Sequence, residues 1–255
     1  MNKIRHRTTI LGVNVDVLSK DELIEKMQII LEQDNGSYVF TPNAEILYRA
    51  YKDKEYRKIL NSASLLIPDG SGVALASKLK AEPIPSRLCG IDLAMDTLKY
   101  AAGRGYSVFL LGGKKGIAEK AADHLRAEIP TLKICGTHHG YFNKTTDSTE
   151  NLDVCRKINA SSPHLLFVCF GAPAQEIWIY ENLKDLPSVR LAAGLGGSLD
   201  VWAGNVRRAP RIVQKSGLEW LYRAIRQPSR TKRIPSLWGF CCAVTVENIK
   251  MGYPK

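Results

Sequence analysis

Leu65-Leu66-Ile67-Pro68-Asp69-Gly70-Ser71-Gly72 joins a short apolar run to a glycine-rich turn that carries one carboxylate. The apolar run predicts a buried strand that stops at Pro68, and a helix is predicted over residues 72–79. A lone acid at the end of a parallel strand is where α/β enzymes often place a catalytic group. Pro-Asp-Gly is also typical of an ordinary turn, so Asp69 has both interpretations.

The rest of the N-terminal part alternates between strand and helix patterns. Short apolar runs predict strands at residues 10–17, 38–40, 65–67, 107–111, 132–135, 165–170 and 189–193. Helical patterns separate most of these runs, at spacings suited to βαβ crossovers. Short, continuously apolar strands are typical of a parallel sheet that is buried on both faces. The sequence therefore predicts an α/β fold: a Rossmann-like parallel sheet covered by helices on both faces.

After Asp200 the pattern becomes helical and basic, without strand signals. The window 207–233 holds nine basic residues and one acid, Glu219, within a chain of net charge +11. Such a window indicates an anionic partner, although a solvated helix face is the simpler alternative. We therefore predict two domains: residues 1–200 as the Rossmann-like catalytic core, and residues 201–255 as a C-terminal helical basic appendage.

The composition also bounds the cellular setting. Six cysteines without a C-x-x-C pair indicate a reduced, cytoplasmic protein rather than a disulfide or zinc framework. We expect neither a signal peptide nor a spanning helix, since no apolar run approaches about 20 residues. The apolar run at 237–244, beside the basic window, suits either a helix lying in a membrane interface or a helix packed on the core.

Five predicted strand ends lead into loops rich in Gly, Pro or amide residues. In a parallel sheet these ends meet at one edge, where ligands bind, and glycines there let backbone N–H groups approach a phosphate. The pattern predicts a nucleotide or nucleotide-sugar site. Its candidate nucleotide-binding residues are Gly112, Gly113, Gly171, Gly196 and Gly197.

Other nucleotide and metal motifs are incomplete. The segment from Gly194 to Leu199 lacks the third glycine of a dinucleotide fingerprint and the following βα unit, which disfavours an NAD-dependent oxidoreductase. The sequence has neither a Gly-Lys-Ser/Thr phosphate loop nor an Asp-x-Asp pair for a divalent ion. His138-His139, lying near glycines, is interpreted as a turn rather than a zinc site. We therefore expect no metal and no cofactor, and arginines would have to neutralise a leaving diphosphate.

The polar residues at the strand ends each have a second interpretation. Thr41 and Asn43 would also serve as helix N-caps. Gln175 would also hydrogen-bond its own loop, and Arg87 would also be a surface charge.

A set of short motifs, taken together, resembles one family. They are Thr41-Pro42-Asn43-Ala44-Glu45, Pro68-Asp69-Gly70-Ser71-Gly72, Leu111-Gly112-Gly113, Gly136-Thr137-His138-His139-Gly140-Tyr141-Phe142, Gly171-Ala172-Pro173-x-Gln175-Glu176, Gly196-Gly197-Ser198-Leu199-Asp200, Arg208-Ala209-Pro210 and Gly217-Leu218-Glu219-Trp220-Leu221-Tyr222-Arg223. In this order they resemble the bacterial WecG/TagA/CpsF glycosyltransferases, over roughly residues 8–235. Within that family the chain is most similar to the wall teichoic acid N-acetylmannosaminyltransferases.

The resemblance implies an activity and a set of roles. It implies inverting, metal-independent transfer of N-acetylmannosamine from its UDP donor to the 4-hydroxyl of N-acetylglucosamine on undecaprenyl diphosphate. The catalytic base then falls on Asp69, and other active-site residues fall on Thr41, Asn43, Arg87 and Gln175. Arginines over the leaving diphosphate fall on Arg223, Arg230 and Arg233.

The resemblance also implies a homo-oligomer whose appendage brings it to the inner face of the cell membrane. Two alternatives stay open at this point. Related enzymes transfer N-acetylmannosaminuronic acid or another hexose. A basic nucleic-acid-binding module would also explain the charge, although recognised nucleic-acid motifs are missing and we expect no nucleic-acid partner.

Overall fold

The structure is a computed structural model that describes residues 6–80, 84, 89–210, 212–213, 222 and 234–251. Its strands are β1 (Arg7–Ile10), β2 (Val13–Asp16), β3 (Ser37–Phe40), β4 (Leu65–Leu66), β5 (Ser107–Gly112), β6 (Lys133–His138), β7 (Leu165–Cys169) and β8 (Leu191–Gly194). Its α-helices are α1 (Lys20–Glu32), α2 (Ala44–Lys52), α3 (Lys54–Asn61), α4 (Ser71–Leu79), α5 (Gly90–Arg104), α6 (Ile117–Glu128), α7 (Thr149–Ser161), α8 (Ala174–Asn182), α9 (Ser198–Trp202) and a C-terminal helix (Ile234–Met251).

Six strands form one parallel sheet in the order β4-β3-β8-β7-β5-β6. The predicted parallel α/β fold is therefore confirmed. Strands β3 and β4 lie in one half of the sheet, and β5 and β6 lie in the other. The chain then returns through β7 to β8. Because of this return, β8 lies directly beside β3 although about 150 residues separate them. The ends of β3, β4 and β8 are thereby brought together.

Both faces of the sheet are covered, as the continuous apolar strands predict. In β7 every residue is buried, with Leu165 and Phe167 in one core and Leu166 and Val168 in the other. Helices α1, α5, α6 and α9 enclose the first core, and α2, α3, α4, α7 and α8 enclose the second. Fully burying a side chain of this size contributes about 1.5–3 kcal/mol, so the two cores are the main source of stability.

The first two described strands form a hairpin, where a single strand over residues 10–17 was predicted. Strands β1 and β2 pair antiparallel around a turn in which Leu11 and Gly12 both have positive φ, at 52° and 80°. The hairpin supports the short strand β4, because the buried Asp16 carboxylate accepts a hydrogen bond from the Leu66 backbone N–H at 2.8 Å. Among the described strands β4 is the outermost of the sheet, so this contact gives a backbone donor on its outer side an acceptor.

A second difference is the break between α2 and α3. Helix α3 was not predicted from sequence. The chain turns at Asp53, whose side chain caps α3 by accepting from the N–H groups of Glu55 and Tyr56. Aspartate is a preferred N-cap because its carboxylate satisfies such donors. The new helix carries Tyr56 into the core beneath the sheet.

The C-terminal helix packs against α2 through Phe240 and Val244, which are both buried. Glu247, nearer the end of this helix, adds two polar contacts. Its Oε2 lies 2.8 Å from the Nζ of the buried Lys80, and it also accepts a hydrogen bond from the Leu11 N–H at 3.1 Å. The core-packing interpretation of the 237–244 run is therefore observed for one face of this helix. Its other face exposes apolar side chains, 71% of Trp238 and 68% of Ile249. None of the helices in the described ranges is long and apolar enough to cross a membrane.

Candidate active site

Asp69 stands at the carboxyl edge of the sheet, at the end of β4. The segment after β4 continues alongside the end of β3, because Ile67 N–H donates to Phe40 O at 2.9 Å and Asp69 N–H donates to Pro42 O at 3.0 Å. Gly70 then turns the chain into α4 with φ 90°, a conformation that favours glycine. The turn interpretation of Pro-Asp-Gly is thus correct as local structure, and it presents the carboxylate beside the N-terminus of a helix.

A cavity of about 160 Å³ opens next to Asp69. Its walls come from the ends of β3, β4 and β8 and from the N-terminal turns of α5 and α9. The lining residues are Thr41, Asp69, Cys89, Gly90, Ile91, Leu195, Gly197, Ser198, Asp200, Val201 and Val206. Strand ends from both halves of the sequence therefore meet around Asp69, in a space large enough for part of a sugar ring.

Thr41 and Asn43 lie next to each other in sequence but do different things. Thr41 lines the cavity, and its hydroxyl donates to the Gly194 carbonyl at 3.4 Å. Asn43 is the N-cap of α2, where its Oδ1 accepts from Ile46 N–H at 3.1 Å. The helix-cap interpretation therefore describes Asn43, while Thr41 faces the cavity with Asp69.

Gln175 is almost completely buried, with 3% exposure, and it does not line the cavity. Its Oε1 accepts from two backbone N–H groups, those of Gly171 at 3.2 Å and Gly196 at 2.9 Å. Its Nε2 donates to Glu176 Oε1 at 2.7 Å. The side chain thus joins the loop after β7 to the loop after β8.

Glu176 is an acid inside the protein. Burial raises its pKa, while hydrogen bonds from Gln175 and Tyr56 oppose that rise. Burial also raises the pKa of Tyr56, so its hydroxyl stays protonated and donates to Glu176 Oε2 at 3.1 Å. The sequence analysis assigned no role to either residue.

The five candidate nucleotide-binding glycines divide between the two halves of the edge. Gly197 lines the cavity, whereas Gly112 ends β5, Gly113 comes directly after it, and Gly171 follows β7. Several of their N–H groups already have acceptors: Gly113 donates to Cys169 O at 3.4 Å, and Gly171 and Gly196 donate to Gln175. In this structure these glycines therefore shape the strand ends more than they offer donors to a ligand.

The histidine pair lies at the end of β6. His138 Nδ1 is 2.8 Å from His139 O, His139 Nδ1 accepts from Tyr141 N–H at 3.3 Å, and burial lowers the pKa of His138. These contacts agree with the turn interpretation. Within the described ranges, no group of three His, Cys, Asp or Glu residues is arranged to hold a metal ion.

Comparison with known proteins identifies the family. Residues 8–252 match the glycosyl transferase WecG/TagA/CpsF family, which is nearly the whole chain. The chain belongs to this glycosyltransferase family.

Three relatives carry one name, N-acetylglucosaminyldiphosphoundecaprenol N-acetyl-beta-D-mannosaminyltransferase. The Bacillus subtilis strain 168 protein is 36% identical over 245 residues, which cover 95% of this chain and 92% of the relative. The Bacillus spizizenii protein is 36% identical over 214 residues, covering 84% and 80%. The Staphylococcus aureus MRSA252 protein is 33% identical over 233 residues, covering 91% and 89%.

Within this WecG/TagA/CpsF glycosyltransferase, the structure gathers only part of the predicted set. Asp69, Thr41 and Gly197 share one cavity, while Asn43 and Gln175 support the backbone around it. The four predicted arginines, Arg87, Arg223, Arg230 and Arg233, lie outside the described residues.

Among the cavity residues that sequence reasoning missed, Asp200 and Cys89 carry ionisable side chains. Asp200 was quoted only as the end of a motif, and Cys89 only as one of six cysteines, yet both face the same cavity as Asp69. The signal for Asp200 was its position on the first turn of a helix that follows a strand-end glycine pair. Cys89 has no comparable signal, since it precedes α5 rather than following a strand.

Proposed function

We propose that this glycosyltransferase transfers N-acetyl-D-mannosamine from UDP-N-acetylmannosamine to the 4-hydroxyl of N-acetylglucosaminyl-diphospho-undecaprenol. The observation that carries the proposal is a sequence identity of 33–36%, over 84–95% of this chain, to relatives named for this reaction. The cavity that contains Asp69 supports it. The product is the first disaccharide of a teichoic acid linkage unit or of a related cell-surface polysaccharide.

In the proposed reaction Asp69 is the general base. The acceptor hydroxyl oxygen attacks the anomeric carbon while its proton moves to the Asp69 carboxylate. The bond between that carbon and the diphosphate oxygen breaks, and UDP leaves with the bonding electrons on the opposite face. One base is sufficient for such an inverting displacement, and Thr41 lies beside Asp69 to orient a sugar hydroxyl.

The departing diphosphate needs positive charge on its own side of the sugar. We assign this role to Arg223, Arg230 and Arg233 of the basic window, and we propose Arg87 as a further active-site residue with Asp69 and Thr41. Gly112, Gly113, Gly171, Gly196 and Gly197 would form the side-chain-free surface along which the nucleotide lies. The proposed reaction needs no metal and no cofactor.

A panel of donors tests this function. The full chain is incubated with N-acetylglucosaminyl-diphospho-undecaprenol in detergent and, separately, with UDP-N-acetylmannosamine, UDP-N-acetylglucosamine, UDP-glucose and UDP-N-acetylmannosaminuronic acid. Mass spectrometry of the lipid is expected to show addition of N-acetylmannosamine alone, with or without EDTA.

Other outcomes of the panel have definite meanings. Transfer only from another donor would replace the proposed sugar. Loss of activity in EDTA that magnesium restores would overturn metal independence. Inactivity with every donor, together with steeply salt-dependent binding of nucleic acid, would favour the nucleic-acid-binding module.

We further propose that the C-terminal helix lies on the inner face of the cell membrane. Trp238, Val246 and Ile249 lie on one side of this helix and are exposed, whereas Phe240 and Val244 face α2. An apolar stripe near a basic segment suits the boundary of an anionic bilayer, where the acceptor lipid resides. The appendage of residues 201–255 would thereby bring the core to its substrate.

Membrane contact predicts a specific loss of vesicle binding. Trp238→Glu combined with Ile249→Glu should reduce co-sedimentation with vesicles of phosphatidylglycerol at least about tenfold, because both charges would enter the apolar boundary. Ile29→Glu is the matched control, since Ile29 is an exposed apolar residue on α1 at the other face of the sheet. Equal binding by the double variant and the control would overturn the proposed contact.

A further inference from the structure

Three buried polar side chains form a continuous chain beneath the active-site edge. Tyr56, Glu176 and Gln175 are exposed by only 2%, 1% and 3%. The Tyr56 hydroxyl donates to Glu176 Oε2 at 3.1 Å, and Gln175 Nε2 donates to Glu176 Oε1 at 2.7 Å. A buried polar network persists when its members satisfy one another, and each of these side chains has a partner.

Glu176 determines which way the Gln175 amide faces. The carboxylate is an acceptor, so it binds the amide nitrogen and leaves the amide oxygen toward the Gly171 and Gly196 N–H groups. The reversed amide would set its NH₂ against two N–H donors and its oxygen against a carboxylate. Both contacts would be unfavourable in a buried site. Glu176 thus selects the orientation in which Gln175 joins two loops.

The two joined loops belong to the active-site edge. Gly171 follows β7 and Gly196 follows β8, and the neighbours of Gly196, Leu195 and Gly197, line the cavity that contains Asp69. Gln175 also fills the space beside Gly194, where an added Cβ would come within 2.9 Å of its Nε2. The position of this cavity wall therefore depends on the Gln175 amide.

We propose that Glu176 is a positioning residue of this transferase, supported by Tyr56, and that it acts through Gln175 on the loops at Gly171 and Gly196. In this role Gln175 also acts through the backbone and does not contact the reacting sugar. The effect on turnover rests on the proposed function, whereas the effect on the loops does not.

An exchange of donor and acceptor tests the chain of contacts. Glu176→Leu removes both acceptor oxygens, and Gln175→Glu sets two carboxylates against each other. Glu176→Gln alone is a milder change, because its oxygen would accept from Gln175 and its NH₂ would donate to the Tyr56 hydroxyl oxygen. In the double variant Q175E/E176Q, the carboxylate at 175 accepts from both glycines and from the new amide at 176, whose oxygen accepts from Tyr56. Every hydrogen bond of the network is then restored at the same net charge.

We expect the two disruptive single variants, Glu176→Leu and Gln175→Glu, to lose at least about tenfold in kcat each, and the double variant Q175E/E176Q to return to within about threefold of the natural protein. Hydrogen exchange, followed by NMR of protein labelled with ¹⁵N-glycine, should show faster exchange of the Gly171 and Gly196 amides in the single variants and recovered protection in the double. Tyr56→Phe is the alternative test if a single variant fails to fold. It removes one hydrogen bond and keeps the ring, so it should give a smaller loss of kcat and of amide protection.

Three results would overturn the proposal. The first is unchanged kcat and amide exchange in the folded single variants, or in Tyr56→Phe. The second is a double variant no better than the singles in both measurements. The third is recovered exchange without recovered turnover, which would show that the Gln175 amide itself contacts the substrate. A natural protein inactive with every donor would refute the function instead, and the amide exchange would still test the loops.

Discussion

Asp69→Asn is expected to lower turnover by about 10²- to 10⁴-fold, which is the range that a positioned general base contributes. The amide has nearly the same shape as the carboxylate but cannot take the acceptor proton. The contact between Asp69 N–H and Pro42 O is made by the backbone and survives the change. Melting temperature and UDP affinity should therefore stay close to those of the natural protein.

Asp200→Asn is the matched comparison for this experiment, because Asp200 is a second carboxylate of the same cavity. If Asp69 is the base, the fall of kcat/KM at low pH persists in Asp200→Asn and disappears from the residual activity of Asp69→Asn. The assignment would be wrong if Asp69→Asn retained a tenth or more of the turnover. It would also be wrong if Asp200→Asn alone abolished the low-pH limb.

Gly112→Ala is expected to destabilise the fold by about 3–5 kcal/mol, the upper range for a single substitution. A Cβ at this position would lie 2.5 Å from the Cys169 carbonyl oxygen and 2.7 Å from its carbon. These are backbone atoms of the paired strand β7, so no side-chain rotation relieves the overlap. Gly112 also has φ 141°, which L-residues rarely adopt. The ends of β5 and β7 would have to separate.

Gly116→Ala separates the cost of steric overlap from the cost of a positive φ. Gly116 has a positive φ of 85°, but an added Cβ would meet nothing within 4 Å. Its variant should therefore show only the backbone cost, about 1–2 kcal/mol. Urea unfolding followed by tryptophan fluorescence measures the loss of unfolding free energy in each variant. Equal losses in the two variants would mean that the close approach of the strand ends does not limit stability.

Local sequence patterns predict the strands and the sheet but not every turn between the elements. The apolar runs, their spacing and the glycines that follow them were sufficient to predict a parallel sheet with helices on both faces, because alternation and burial are local properties. The hairpin around Leu11 and the second helix after Asp53 were missed, since each depends on a single turn. The Leu11 N–H in the hairpin turn donates to Glu247 Oε2, more than 200 residues away in sequence.

The segment around Asp69 shows the difference between what a local sequence predicts and what the tertiary structure adds. Residues 65–72 alone predict that an acid follows a buried strand and precedes a helix, and this is what the chain forms. They do not predict that Thr41 and Gly197 line the same cavity as that acid. The order of the strands decides this, because β8 returns to pair with β3 next to β4.

The same distinction applies to Gln175. Its position after a strand-end glycine made it a candidate site residue from sequence, and its local motif resembled one family. Only the folded chain brings the Gly196 N–H to the Gln175 amide oxygen and the Tyr56 hydroxyl to the Glu176 carboxylate. Residue type and local spacing thus determined the sheet, the acid and the family, whereas strand order and buried hydrogen bonds between distant segments decided which side chains share the site and which support it.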